Sequence, residues 1–209
     1  MTIRIFRLLK FPRTLYPIPL YLIPLYLLTS CNTDDFSPRP KGYFRIDLPR
    51  KSYLKYDSTC PFTFEFHKKA RINKNDNESC WMNIEYPAQN ATIHISYKKI
   101  ESGDSQKQIE QYIEDSRSLV YKHTVKATDI REDRIKDDSS NVYGLLYSLE
   151  GNTASSMQFY LTDSVNHFMR GALYFNVTTN VDSLLPVIRY IQDDILHLVN
   201  TFEWKKDKN

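Results

Sequence analysis

Residues 151–175 have the sequence GNTASSMQFYLTDSVNHFMRGALYF, and this stretch predicts a β-hairpin. Apolar residues alternate with other residues along Ser156–Asp163 and again along His167–Val177, and a short turn at Val165-Asn166 separates the two runs. Two-residue alternation is typical of half-buried strands, and strands joined by so short a turn pair antiparallel. The stretch therefore indicates two neighbouring antiparallel strands.

Segments with the same alternation lie on the N-terminal side of this hairpin. Val125–Ile135 and Val142–Leu149 precede it and are bounded by polar turns, so four consecutive strands are expected to form an antiparallel meander. Three earlier strands are predicted from the alternating apolar residues of Pro61–His67, Trp81–Tyr86 and Ala91–Tyr97.

Two further segments have helical periodicity. Ser105–Tyr121 begins with a capping-box pattern that ends at Gln108, and a second helix starts at Asp182-Ser183; in both, apolar residues recur at intervals of three and four. We therefore predict an α+β fold, with a single antiparallel sheet of about six or seven strands and two helices packed against it. The order of these elements is similar to that of the Mog1/PsbP-like fold.

The composition is that of one globular domain with a short appendage. The chain has 209 residues, of which 41% are hydrophobic and 25% charged. Residues 1–30 hold four of the 28 basic residues and none of the 25 acidic ones, so the remaining chain has 24 basic against 25 acidic side chains. That balance disfavours a basic nucleic-acid-binding protein.

The first thirty residues have the pattern of a bacterial lipoprotein signal peptide. A basic segment that ends at Arg13 precedes Leu15–Leu28, which has no charge but is short for a membrane span and contains three prolines. Leu28-Thr29-Ser30-Cys31 follows and resembles a lipobox, which makes Cys31 the expected lipid acceptor and mature N-terminus. Residues 31–42 are then a polar tether, and residues 43–209 the single α+β domain.

Two cysteines remain after Cys31. Because an exported chain meets an oxidising compartment, a disulfide between Cys60 and Cys80 is favoured over two free thiols. A metal site has less support, because two cysteines twenty residues apart without a second pair do not have ligand spacing, although His67 lies between them. We predict no metal and no cofactor.

The chain has no common catalytic motif, but Ser155 or Ser156, Asp163 and His167 resemble a hydrolytic triad in composition. On a hairpin, Ser156 lies about 23 Å along the strand from the turn that holds the other two, so a turn-stabilising Asp163 and an edge His167 are the preferred interpretation. No catalytic residue is assigned.

Other polar and aromatic residues do not form a recognisable metal or ligand site in the sequence. The remaining histidines occur singly, at His67, His94, His123 and His197. Asp137–Asn141 resembles a calcium loop in composition only. Aromatic residues flank the tether and are of the kind that stacks on sugars or contacts a protein; they are Tyr43, Phe44, Tyr53 and Tyr56.

Several segments resemble the gliding-motility lipoprotein GldD family of Bacteroidetes. They are Pro38–Tyr43, Cys60-Pro61-Phe62, Cys80-Trp81, Tyr121–Thr124 and above all residues 151–175. The resemblance implies an envelope lipoprotein that is needed for gliding and is associated with the type IX secretion machinery. Its expected partners are the membrane, through the N-terminal lipid, and other gliding or secretion proteins of the envelope. No enzymatic activity or cofactor is assigned to the family, and the partner-binding residues stay unknown.

Two classes of function stay open at this stage. The first is a non-catalytic lipoprotein that acts through protein contacts; the second is an envelope hydrolase or a carbohydrate-binding module that uses residues 155–170 or the aromatic residues near the tether. The residue after Cys31 is Asn32, not the aspartate that retains enterobacterial lipoproteins at the inner membrane. We therefore expect a lipid-anchored protein of the cell envelope, with the outer membrane favoured over the inner.

Overall fold

The computed structural model describes residues 46–75, 78–101, 103–176 and 181–206, which belong to one compact unit, Tyr43–Asn209. The predicted signal peptide and tether lie outside the described residues, as do Cys31, Tyr43 and Phe44.

The described residues form ten strands and two α-helices. In chain order they are β1 (Tyr53–Asp57), β2 (Phe62–His67), β3 (Arg71–Lys74), β4 (Met82–Tyr86), β5 (Ala91–Lys99), α1 (Ser105–Tyr121), β6 (Ala127–Asp137), β7 (Val142–Gly151), β8 (Ser155–Thr162), β9 (His167–Phe175), α2 (Val181–Asn200) and β10 (Glu203–Trp204). The α+β class is confirmed, and so is the hairpin of β8 and β9.

The main sheet has seven strands in the order β3-β4-β5-β9-β8-β7-β6, all antiparallel. It combines two meanders, β3 to β5 and β6 to β9, which join where β5 pairs with β9. The predicted meander of four strands is therefore one half of this sheet.

The predicted strand Pro61–His67 does not join the main sheet. It is β2, the centre of a separate sheet of order β1-β2-β10. Its partners come from the two ends of the domain and alternate too weakly to be recognised as strands in the sequence. Phe62 and Phe64 of β2 are fully buried in the core that α2 shares with the main sheet.

The two helices pack on opposite faces of the main sheet. Ile191 and Ile195 of α2 share a core with Ile93 and Leu173 of the central strands. On the other face, Ile109 and Val120 of α1 belong to a smaller core with residues that alternate with the first set along the strands, among them Tyr147, Tyr160 and Phe168. Because side chains alternate across a strand, one sheet supplies both cores.

The capping box expected at the start of α1 is not formed. The residue before the helix is Asp104, and it makes no side-chain capping hydrogen bond. The amide of Gln108 reaches back to Glu101 instead, where it accepts from the backbone N–H at 3.2 Å and donates to the carbonyl at 3.3 Å. The Gln108 side chain thereby provides hydrogen-bond partners for both backbone groups of Glu101, which lies between β5 and α1.

A disulfide joins Cys60 and Cys80, the pair favoured from the sequence, with their Cα atoms 5.6 Å apart. Cys60 is buried just before β2, and Cys80 lies just before β4. The bond therefore ties the small sheet to the main sheet across a polar loop.

Candidate binding groove

One face of the main sheet is only partly covered by its helix. Seven strands spaced about 4.8 Å apart make a sheet about 29 Å wide, whereas a helix with its side chains is about 10–12 Å across. Helix α1 contacts β8 and β9. The same face of β3, β4 and β5 is left beside it, and a groove of about 680 Å³ forms between the helix and these strands.

The floor and walls of the groove differ in chemistry. Side chains of the strands provide an almost entirely polar floor, and aromatic and aliphatic groups contribute to the walls. The principal lining residues are Asn73, Lys74, Trp81, Asn83, His94, Ser96, Lys98, Tyr112, Asp115, Ser116, Leu119, Phe168 and Arg170. Three of them are lysine or arginine, and Asp115 is the one carboxylate among them.

Arg170 lies on β9 between its cross-strand neighbours Ser96 and Tyr160. Its Nη2 donates to Oε1 of Gln158 at 2.6 Å, but its buried Nε has no acceptor. The ion pairs found among the described residues do not include Arg170. Burial lowers the pKa of Arg170, an effect that the neighbouring Tyr174 opposes. Within the described residues the guanidinium charge therefore has no carboxylate to balance it.

The charge of Arg170 affects a histidine outside the sheet. His123 lies in the turn that follows α1, and burial lowers its pKa, with a further contribution from the positive charge of Arg170. The end of α1 is therefore within electrostatic reach of the guanidinium.

A polar row crosses the groove floor next to Arg170. His94 pairs across the strands with Asn83 on one side and with the small Ala172 on the other. Nδ1 of His94 lies 2.8 Å from Oδ1 of Asn83, an oxygen that accepts only, so Nδ1 carries the proton and Nε2 is an acceptor. Burial lowers the pKa of His94, which favours the neutral ring.

Lys98 closes one end of the groove. Its Nζ lies 5.6 Å from the ring centre of Trp81 and 5.8 Å from that of Tyr112, which places the ammonium between β4 and α1. The indole of Trp81 is fixed because its Nε1 donates to the carbonyl of Tyr97 at 2.7 Å. One face of each ring therefore has a cation over it.

The triad-like residues of the hairpin do not form a triad: Asp163 bonds the backbone N–H of His167 and not its ring. Asp163 accepts three backbone N–H groups of the β8–β9 turn through Oδ1, at 2.8–3.0 Å, and His167 bonds the hydroxyl of Tyr97 at 2.8 Å through Nδ1. Ser156 lies toward the other end of β8, with Oγ buried and unpartnered. Each of the three side chains has a separate environment.

The other residues weighed from the sequence have local roles. Asp137 accepts from the hydroxyls of Ser139 and Ser140 within its own turn. Tyr56 is buried in the core, and Tyr53 stacks on His197 with ring centres 3.6 Å apart. Across the described ranges, no three His, Cys, Asp or Glu side chains are placed to share a metal ion.

A buried polar network lies on the opposite face, between β1, β2 and α2. Asp194 accepts from the hydroxyl of Tyr53 at 3.0 Å and pairs with Nζ of Lys51 at 3.1 Å. His67 accepts from the backbone N–H of Lys69 through Nδ1, so its Nε2 donates to the hydroxyl of Tyr190 at 2.9 Å. These bonds fasten β1 and β2 to α2.

The groove was missed from the sequence because strand prediction used only the apolar positions. The signal was present in the alternate positions of the same strands, His94, Ser96 and Lys98 on β5 and Arg170 on β9. An arginine between apolar residues in the middle of a strand marks a face that is not simply core.

A comparison with known families gives one match. The family model described as gliding motility lipoprotein GldD matches residues 33–204, which include all ten strands and both helices. No curated protein matches the chain. Neither α1 nor α2, the helices of the described ranges, has an apolar stretch that would span a bilayer.

Proposed function

Because the chain belongs to the gliding motility lipoprotein GldD family, we propose that it serves gliding as a non-catalytic, lipid-anchored protein that associates with the type IX secretion machinery through protein contacts. The family gives the lipoprotein character and the role in gliding. The mode of action is our proposal.

The non-catalytic interpretation rests on one observation: the side chains of Ser156, Asp163 and His167 do not hydrogen-bond one another. A hydrolytic serine needs a base within hydrogen-bond reach, about 2.6–3.2 Å, and the base needs an orienting acid. Here Asp163 is bonded to turn amides and His167 to a tyrosine hydroxyl. Both are structural contacts, which supports action by binding.

We further propose that Cys31 holds the protein at the envelope through a thioether-linked diacylglycerol and an acyl chain such as palmitate on its freed amine. Several acyl chains together give an effectively permanent anchor. Asn32 favours the outer membrane as its location. The polar residues 32–42 then extend the domain away from the lipid toward envelope partners.

A carbohydrate-binding module has weaker support. Sugars stack on exposed aromatic faces, but the groove rings of Trp81 and Tyr112 carry the ammonium of Lys98, and Tyr56 is buried. A hydrolase would need the hairpin residues to act together.

The proposal is tested by gliding and protein secretion in cells that carry chromosomal variants at matched protein levels. Ser156→Ala removes a hydroxyl that has no partner, so the fold should be unaffected. His167→Asn keeps an acceptor for the hydroxyl of Tyr97 but not an imidazole base. Both variants should glide and secrete normally, whereas Cys31→Ala should impair both functions because the protein leaves its membrane partner.

Catalysis would replace the binding proposal if folded, correctly localised Ser156→Ala or His167→Asn protein fails while the soluble Cys31→Ala protein works. Loss of gliding in all three variants would also contradict it, provided that the two hairpin variants unfold at the wild-type temperature.

A further inference from the structure

We propose that the groove beside α1 binds an acidic peptide segment of an envelope partner, with Arg170 as the residue that receives a carboxylate. This inference rests on the proposed function, in which the protein acts by contact, and names the surface and the chemistry of that contact.

The positive charge of Arg170 is not balanced by a carboxylate of the described residues. Arginine is seldom buried without an anionic partner, because removing a charge from water is costly unless the charge is paired. Arg170 is half-buried, its side-chain hydrogen bonds are with the uncharged Gln158 and Tyr174, and the described residues supply no carboxylate to it. A carboxylate that enters the groove would supply the missing anion, and the N–H groups of the guanidinium would donate hydrogen bonds to it.

Gln158 fixes the position of the Arg170 guanidinium. Gln158 holds Nη2 at 2.6 Å and is itself fully buried, so the guanidinium is fixed before a ligand arrives. The amide nitrogen of Gln158 is unpartnered as well. Gln158 is therefore a positioning residue for Arg170, and two neighbouring buried groups lack partners at the same place on the sheet.

The other residues that line the groove also suit an acidic ligand. Lys98 adds a second positive charge against the single carboxylate of Asp115, so the groove attracts anions. Nζ of Lys74 lies instead over the ring of Tyr56, which belongs to the core shared with α2. Asn83 and His94 offer polar atoms on the floor, and Leu119, more than a third exposed, offers an apolar contact on the wall. An acidic segment that also carries an apolar side chain complements this combination.

The peptide is favoured over an acidic polysaccharide for a structural reason. Carbohydrate sites present open aromatic faces, whereas in this groove the ammonium of Lys98 lies over one face of Trp81 and of Tyr112. A peptide needs no such platform, because backbone amides can bond the asparagine and histidine side chains of the floor.

The register suggests a variant that fills the site from within. Ser96 lies directly opposite Arg170 on the adjacent strand and is half-buried. Ser96→Asp should place a carboxylate beside the guanidinium, which balances the charge internally and blocks the ligand. Ser96→Asn has nearly the same shape without the charge and is the matched control.

The binding experiment uses the full lipoprotein in detergent and acetylated hexapeptides in which glutamate alternates with leucine or phenylalanine. The control peptides have glutamine at each glutamate. Titration followed by the NMR resonance of the Arg170 Nε–H should show that the glutamate peptides bind at least tenfold more tightly than the glutamine peptides. The affinity should fall with added salt.

The variants then decide the role of Arg170. Arg170→Gln and Ser96→Asp should each weaken glutamate-peptide binding at least tenfold, as measured by calorimetry. Ser96→Asn, which fills the same space without a charge, should weaken binding much less than Ser96→Asp. Arg117→Gln, which removes an exposed arginine of α1 outside the groove, should retain wild-type affinity. Ser96→Asp keeps the test valid if Arg170→Gln fails to fold.

The proposal is overturned if glutamate and glutamine peptides bind equally or not at all, or if binding survives Ser96→Asp. It is also overturned if polygalacturonate shifts the Arg170 resonance while the peptides do not. Normal gliding of Ser96→Asp cells, with gliding lost in Cys31→Ala cells, would reject the groove and leave the non-catalytic, anchored function standing.

Discussion

The ring of Phe159 on β8 lies across Gly171 on β9, its cross-strand partner, so closely that a Cβ at Gly171 would stand 2.2 Å from the ring. Both residues face the core that the main sheet shares with α2, and Phe159 is 1% exposed. The absence of a side chain at Gly171 makes room for the ring over the middle of the sheet.

Gly171→Ala should therefore destabilise the domain. The ring of Phe159 must move within a packed core, and overpacking of this kind costs about 1–3 kcal/mol in the free energy of unfolding. Urea denaturation measures this cost. Phe159→Leu should relieve part of it, so the double variant should be more stable than the sum of the two single changes predicts. Additive effects would show that the ring and the glycine do not constrain each other.

The sequence predicted the elements that have strong periodicity. The bounds of α1, Ser105–Tyr121, and the start of β9 at His167 agree with prediction, because apolar residues recur there with a clear period over many residues. Strand β3 has a single apolar residue, Ile72, and β10 has two residues in all. Their strand conformation depends on partners distant in sequence, which a local pattern does not show.

The groove could not be predicted for a related reason. Its polar floor is visible in the sequence as His94, Ser96 and Arg170, but it becomes a groove only because α1 covers β8 and β9 and leaves β4 and β5. Where a helix lies on a sheet is decided by packing of both cores at once.

Two adjacent aspartates of α2 should contribute very differently to stability. Both lie near Nζ of Lys51, but Asp194 is buried and also accepts from Tyr53, whereas Asp193 is 66% exposed. Asp194→Ala should lower the free energy of unfolding by about 1–3 kcal/mol, because Tyr53 and Lys51 lose a buried acceptor. Asp193→Ala should cost about 1 kcal/mol or less. Equal costs in urea denaturation would contradict this assignment.

Loss of the disulfide should destabilise the domain without preventing folding. The bond closes a loop of 21 residues, which corresponds to about 3 kcal/mol in the chain-entropy model. Cys80→Ser is the better substitution, because Cys60 is more deeply buried. A variant with both cysteines replaced should be about as stable as Cys80→Ser. Peptide mapping without reduction must recover the two cysteines joined; freely alkylated thiols in exported protein would refute the bond.

The turn at Asp137 should weaken in acid. Hydrogen bonds from Ser139 and Ser140 lower the pKa of Asp137 from 3.8 to about 2. A carboxyl whose pKa is lower in the folded state stabilises the fold fully above pH 3.8, and this contribution is lost as the pH falls toward about 2. Ser140→Ala should move the pKa of Asp137 toward 3.8 in an NMR titration, whereas Ser118→Ala on α1 should not. An unchanged pKa in the Ser140 variant would show that the hydroxyl does not bond the carboxylate.

Lipidation at Cys31 should account for membrane attachment. The thiol follows an uncharged apolar segment and a lipobox-like tripeptide, and the described domain provides no membrane-spanning helix of its own. Cells grown with a labelled fatty acid should therefore label the wild-type protein, and Cys31→Ala should abolish the label and release the protein from the membrane fraction. Cys80→Ser controls for the loss of a cysteine, since Cys80 lies in the folded domain, and the variant should remain labelled. If the Cys31→Ala protein keeps its fatty acid, the anchor lies elsewhere, and the loss of local concentration that links Cys31 to gliding no longer applies.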